Sequence, residues 1–184
     1  MVICSGELRQ QFSDLSTRMS RDDYYARIYS KTASLFQLAT EAAGLLENAP
    51  ENQVTALREY GRNLGMAFQV ADDVLDFVGD EQRLGKPVGS DLRQGLITLP
   101  TLRYLEQHPN DELIARLFRD NEYRNDEAIH QAVRAIRDSG ATEAALDEAH
   151  GFVHRGRLAL DQLPEGPARQ ALQDLADFTI QRRM

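Results

Sequence analysis

Helix signals run through this chain almost without a break, and they predict an all-α fold: a helical bundle forming a single domain. Three observations carry that expectation. Apolar residues recur at spacings of three and four along nearly the whole length, strand-like alternation is nearly absent, and Gly, Pro, Asn and Ser cluster where the periodic stretches end. At 184 residues, 42% hydrophobic and 27% charged, the chain is long enough for one substantial core.

The elements follow in order. Ser20 with Asp23 reads as a helix-start cap, opening a helix that carries Tyr24, Ile28, Leu35, Phe36, Ala39, Ala42 and Leu46 and ends near Asn48-Ala49-Pro50. A second long helix is expected from about Glu51 to Val78. Its Gly61 and Gly65 lie four apart on one face and would weaken an isolated helix, so they point to close approach of a neighbouring helix. Gly79 to Gly95 holds four glycines and a proline and reads as the one long irregular stretch, a kind of segment that is often functional. Beyond it, helices are expected from Pro100 through Glu106, near Asp111 to Arg119, and from Asp126 to Asp138, with a stop at Ser139-Gly140. Thr142 is expected to cap the next helix, whose stripe runs through Leu146, Ala149, Phe152, Val153, Gly156, Leu160 and Leu163. Pro164 to Pro167 breaks it, and Ala168 to Arg183 forms the last helix.

Bulk properties exclude several classes of function. A net charge of −8 argues against nucleic acid as partner. It also means that an anionic ligand has to be held by local cations or metal, because the overall field repels it. The mean hydropathy is −0.48 and no run of eighteen apolar residues occurs, so neither a membrane span nor a signal peptide is expected. Cys4 is the single cysteine, which fits a reducing compartment, and the chain is expected to be cytoplasmic.

The most informative stretch is FQVADDVLDF, Phe68 to Phe77. It sets Gln69, Asp72, Asp73 and Asp76 at i, i+3, i+4 and i+7 within an otherwise apolar segment, so a helix gathers them on one stripe. At a rise of about 1.5 Å per residue, Asp72 and Asp76 stand about 6 Å apart along the axis, close enough to share a metal cluster. A solvated acidic turn accounts poorly for the pattern, because Val70, Ala71, Val74 and Leu75 leave almost no other polar face and unpaired charge on a buried helix is costly. Oxygen-only ligands suit Mg²⁺, which keeps several waters and reaches substrates through their phosphates.

Around that stretch the chain shows an ordered set of motifs. Lys31-Thr32 stands in YSKTASLF, Gly61 and Gly65 in YGRNLGMAFQ, then come DDVLD and GKPVGSDLRQGLITLP from Gly85 to Pro100. Together they resemble the second aspartate-rich region and its flanks in the trans-isoprenyl (polyprenyl) diphosphate synthases, and a weaker likeness reaches from Gly6-Glu7 and Gln10 to LADFTIQRR at the end. The resemblance implies the C-terminal portion of an isoprenoid-synthase-type fold. It further implies a prenyltransferase of isoprenoid biosynthesis that condenses isopentenyl diphosphate with an allylic diphosphate using Mg²⁺, where charge on the diphosphate leaving group is the main catalytic demand.

On that resemblance Asp72, Asp73 and Asp76 belong to a metal-binding face, with Asp72 touching Mg²⁺ and Asp76 supporting it through water. Lys31 contacts the allylic diphosphate with Thr32 beside it, Lys86 supplies a further cation, and Asp91 joins the set; Gln69, one turn before Asp72 and Asp73, is placed either to orient a ligand or meet substrate, or to satisfy its amide on the backbone. The Lys-Thr, GKPVGSDL and TLP motifs favour elongation over cyclisation, and a homodimer or heterodimer is implied.

Two departures accompany the resemblance. The family's first aspartate-rich motif is expected ahead of everything seen here. Asp22-Asp23 does not replace it, since Ala26 and Arg27 stand where a third carboxylate is needed and the pair suits the first turn of a helix after Ser20. Leu96 occupies a place where many relatives carry lysine. The alternative reading is therefore a helper subunit or truncated fragment that binds metal and diphosphate but needs the N-terminal half for activity. His150 and His154, four apart, have no third ligand in register and read as a solvated face.

Overall fold

The computed structural model describes residues 20–79, 85, 87–119 and 125–181. Among them every regular element is helical: α1 Arg21–Ile28, a π-helical turn Tyr29–Ala33, α2 Ser34–Leu46, α3 Glu51–Val78, α4 Ser90–Arg93, α5 Leu99–Gln107, α6 Glu112–Arg119, α7 Asp126–Asp138, α8 Ala141–Ala159, a 3₁₀ turn Leu160–Gln162 and α9 Pro167–Gln181. None of these helices is long and apolar enough to cross a membrane.

The start of α1 forms as the sequence predicts. Ser20 Oγ accepts from the Asp23 amide at 3.1 Å and the Asp23 carboxylate accepts from the Ser20 amide at 3.1 Å, so two helix-end donors are satisfied reciprocally. The expected single helix to Asn48 is interrupted, however, by the wide turn Tyr29–Ala33. Periodicity does not reveal such a turn, because one extra residue shifts the stripe without ending the helix.

Helix α3 is the axis of the molecule, 28 residues and thus about 42 Å long. It packs against α2 on one side and α8 on the other. The glycine expectation is met on the α2 side. A methyl group at Gly65 would stand 2.5 Å from Ala33 Cα, and one at Gly61 would stand 2.6 Å from the Phe36 carbonyl oxygen. Three contiguous apolar groups surround the axis. Tyr60, Leu64, Val153, Leu160 and Ala176 fill one end, Met66, Val70 and Val74 meet Tyr24, Ile28, Leu99 and Ala149 in the middle, and Phe77 joins Leu92, Leu117, Ile129 and Ile136 at the far end.

Two boundaries differ from expectation. Thr142 does not cap α8: it is buried and donates to Glu143 Oε2 at 2.8 Å, while Gly140 at φ 77° precedes the helix and Ser139 Oγ accepts from the Ala141 amide at 3.2 Å. The loop after α3, read as irregular throughout, contains the short helix α4.

Helix α2 is apolar yet mostly uncovered. Leu35, Leu38 and Leu45 are more than half exposed and Leu46 is 81% exposed, so much of the stripe read from Leu35 and Leu46 stands open.

Candidate functional site

The C-terminal half of α3 divides its three aspartates among three environments. Asp72 is exposed. Asp73 is only 5% exposed and lies between two donors, with Tyr24 Oη at 2.7 Å from its Oδ2 and Gln69 Nε2 at 2.9 Å from its Oδ1. Asp76 is 1% exposed, and its Oδ2 accepts from the Asp91 amide at 2.9 Å. The stripe predicted from spacing is there, but among the described residues no three carboxylate, imidazole or thiol groups converge. The three carboxylates expected to share a metal-binding face thus stand as one open carboxylate, Asp72, and two that accept hydrogen bonds from the protein's own donors, Asp73 and Asp76.

The π-helical turn places Lys31 and Thr32 against the middle of α3. Thr32 Oγ1 donates to Gln69 Oε1 at 2.8 Å, and Gln69 in turn donates to Asp73. These two bonds fix which end of the Gln69 amide faces which neighbour, because an amide offers its oxygen only as acceptor and its nitrogen only as donor. The Thr32 hydroxyl proton is thereby committed to Gln69. Lys31 is half-buried beside it. Wide helical turns of this kind are frequent at functional sites.

Asp76 organises the loop that follows. Its backbone carbonyl accepts from the Gly89 amide at 2.8 Å while its side chain takes the Asp91 amide, so both acceptors of one residue hold the start of α4. Gly89 has φ 69°, and a side chain there would meet Val133 Cγ2 at 2.7 Å, so this turn needs glycine on two counts. The other end of the loop is tied to α1, where Arg27 Nη2 donates to the Ile97 carbonyl at 2.6 Å.

Burial pushes the Asp73 carboxyl up to about 6. The hydrogen bonds from Tyr24 and Gln69 and the nearby Arg27 charge pull the other way, and Asp72 adds a smaller upward push. The Tyr24 phenol is pushed well above its ordinary value by burial and by Asp73, so it stays a donor at any physiological pH. Arg27 is buried and sits with its guanidinium carbon 5.6 Å from the centre of the Tyr24 ring. Tyr24 and Arg27 were not singled out as site residues from the sequence. The available signal was weak: a tyrosine and an arginine three apart on the same face of the helix that leads into Lys31-Thr32.

The remaining candidates separate cleanly. Lys86 lies outside the described residues, as do Glu7 and Gln10. Asp22 and Asp23 occupy the first turn of α1, as expected of helix-start acids. His150 and His154 are exposed on α8 and are part of no metal-ligating group among the described residues. Asp91 stands at the start of α4, its amide bound to Asp76 and its carbonyl accepting from Leu96 at 2.8 Å.

With this geometry in place, the comparisons with known proteins point one way. A family model described as polyprenyl synthetase matches residues 1–136. A short chain isoprenyl diphosphate synthase of Methanothermobacter thermautotrophicus is 36% identical over 183 residues, which are 98% of this chain and 55% of that protein. An octaprenyl diphosphate synthase of Haemophilus influenzae is also 36% identical, over 182 residues, with the same two shares. Among solved structures, a polyprenyl synthase from Caulobacter crescentus CB15, complexed with calcium and isoprenyl diphosphate, superposes with a TM-score of 0.92 at 37% identity. It is matched over 100% of this chain and 56% of that one. The chain therefore spans about half the length of the relatives it matches.

Proposed function

This chain belongs to the polyprenyl synthetase family, and from that premise we propose that it supplies one metal and diphosphate face of a trans-prenyltransferase that condenses isopentenyl diphosphate with an allylic diphosphate. The observation that supports this reading is the bonded relay Thr32–Gln69–Asp73–Tyr24, which ties the turn carrying Lys31 to the segment of α3 that carries the open carboxylate of Asp72. The donor set fits Mg²⁺, which binds through one or two carboxylates plus substrate phosphates rather than in a closed protein cage. When bound, the ion supplies Lewis-acid stabilisation of the departing diphosphate.

The chain's own residues divide the remaining work. Asp72 holds the ion from the exposed face of α3. Lys31 takes the negative charge of the allylic diphosphate, which the overall charge of −8 would otherwise repel. Thr32 and Gln69 keep Asp73 and Lys31 in register, since the Thr32 proton is given to Gln69. Asp76 fixes the loop that carries Asp91, and Lys86, in the GKPVGSDL stretch of the sequence, adds a second cation. A dimer and a cytoplasmic location are parts of the same proposal.

The uncovered apolar face of α2, with Leu35, Leu38, Leu45 and Leu46, favours a second reading. In that reading the chain works as a subunit whose complementary helices, and the second set of metal ligands, come from a partner.

Calorimetry tests the central claim. Mg²⁺ and inorganic diphosphate should bind together and each tighten the other, because the ion cancels repulsion between carboxylates and anion. Equal diphosphate affinity with Mg²⁺ and with chelator would sink the metal-bridge reading.

A further inference from the structure

Among the described residues the buried charged side chains are Arg27, Asp73 and Asp76, and all three belong to the junction of α1, α3 and the loop from Gly89 to Thr98. Asp73 and Asp76 have roles in the site described above. Arg27 has none yet.

Its placement is expensive as a purely structural choice. A guanidinium loses several kcal/mol of hydration on burial, and an apolar side chain of similar volume often stabilises a fold equally well or better. Only one terminal nitrogen, Nη2, is bonded, at 2.6 Å to the Ile97 carbonyl, while Nη1 is buried without a hydrogen-bond partner. What the residue does specifically is hold that one carbonyl. Ile97 closes the loop whose opening is held by Asp76 through the amides of Gly89 and Asp91. Between these two anchors the loop is tied to itself by the Leu96 amide on the Asp91 carbonyl, at 2.8 Å.

We propose that Arg27 is a positioning residue for the metal and diphosphate site, clamping the segment from Gly89 to Thr98 onto α1 while Asp76 clamps it onto α3. The two anchors act on opposite ends of one short segment, so together they fix its rotation about α3 and hence where Asp91 stands relative to Asp72. Either anchor alone leaves that rotation open. The Tyr24 ring beside the guanidinium and the Tyr24 hydroxyl on Asp73 connect the clamp to the relay that runs through Gln69 to Thr32. The inference rests on the proposed function for the identity of the ligand, but not for the clamp itself.

The test compares Arg27→Met and Arg27→Lys in the 184-residue chain by amide hydrogen exchange and by calorimetry with Mg²⁺ and inorganic diphosphate. In Arg27→Met the amides of Gly89, Asp91 and Leu96 should exchange faster by about tenfold or more, the size of one hydrogen bond to a charged group, while those of α8 from Ala145 to Val153 stay unchanged. Diphosphate affinity in the presence of Mg²⁺ should fall by about tenfold, and Arg27→Lys should restore most of it. Uniform acceleration in both segments would reduce Arg27 to a general structural residue and overturn the proposal, as would unchanged loop amides. A loosened loop with wild-type diphosphate affinity overturns it too. A wild-type chain that binds no diphosphate with Mg²⁺ overturns the proposed function and removes the site that Arg27 is said to serve, whereas the exchange pattern still decides whether the clamp exists.

Discussion

Substituting Gly65 by alanine sets two well-understood effects against each other, and the structure decides the sign. Helix propensity alone makes the change favourable, because glycine in a helix interior costs roughly 0.5–1 kcal/mol relative to alanine. Packing opposes it. The new methyl would stand 2.5 Å from Ala33 Cα, 3.0 Å from Ala33 Cβ and 3.1 Å from Phe36 Cβ. Unstrained carbon contacts lie near 3.5–4.0 Å, so the π-helical turn and the start of α2 have to retreat by about 1 Å. The nearest of these atoms is backbone and cannot rotate away. Overpacking of that kind costs about 1–3 kcal/mol, so the net effect is a loss of about 1–2 kcal/mol, or about 2–8 °C in melting temperature for a chain of this size. Gly151→Ala is the internal control, since its new methyl meets nothing nearer than Arg155 Nη1 at 3.5 Å, the end of a flexible side chain. That variant should gain up to about 1 kcal/mol. Thermal and urea unfolding of both variants beside wild type gives the comparison. Because the displaced turn carries Lys31 and Thr32, Gly65→Ala should also weaken Mg²⁺-dependent diphosphate binding, while Gly151→Ala leaves it alone. A Gly65→Ala protein as stable as wild type would refute the close-approach argument.

Tyr24→Phe removes one of the two donors to buried Asp73, which should cost about 1–3 kcal/mol and raise the Asp73 carboxyl further above about 6; a fall in its pKa, followed by carboxyl-carbon NMR, would contradict the assigned bond. The sign of the pH linkage follows from the same shift: folded Asp73 holds its proton more tightly than the unfolded chain, whose aspartate titrates near about 4. Relative to Asp73→Asn in chelator, wild type should therefore lose stability as pH rises from about 4 to about 6, and a gain over that window would be inconsistent with desolvation as the leading cause. In a chimaera joining this chain to the rest of a relative, Asp72→Asn should lower turnover by about a hundredfold or more, whereas Asp22→Asn on the first turn of α1 should do little; comparable losses would mean the site is misplaced. Light scattering should show association of the 184-residue chain, reduced by Leu38→Lys with Leu45→Lys on the exposed face of α2; a wild-type monomer at every concentration would remove the subunit reading.

Sequence by itself determined what depends on local spacing. The bounds of α3 and α7, the capping box at Ser20, the stripe of Gln69, Asp72, Asp73 and Asp76, and the close approach at Gly61 and Gly65 all follow from intervals of three and four residues and from the backbone limits of particular side chains. Tertiary structure decided which member of that stripe faces water. Asp72 and Asp73 are adjacent and chemically identical, yet one is exposed and the other buried, because Tyr24 reaches Asp73 from a helix 49 residues earlier. Arg27 finds Ile97 across 70 residues, and Thr32 finds Gln69 across 37, through a helical turn one residue wider than the periodic pattern shows. Spacing along one helix fixes only the direction of a side chain. Whether that direction leads to solvent, to a hydrogen-bond donor or to a loop amide depends on what distant elements bring to the same place, and no local interval carries that information.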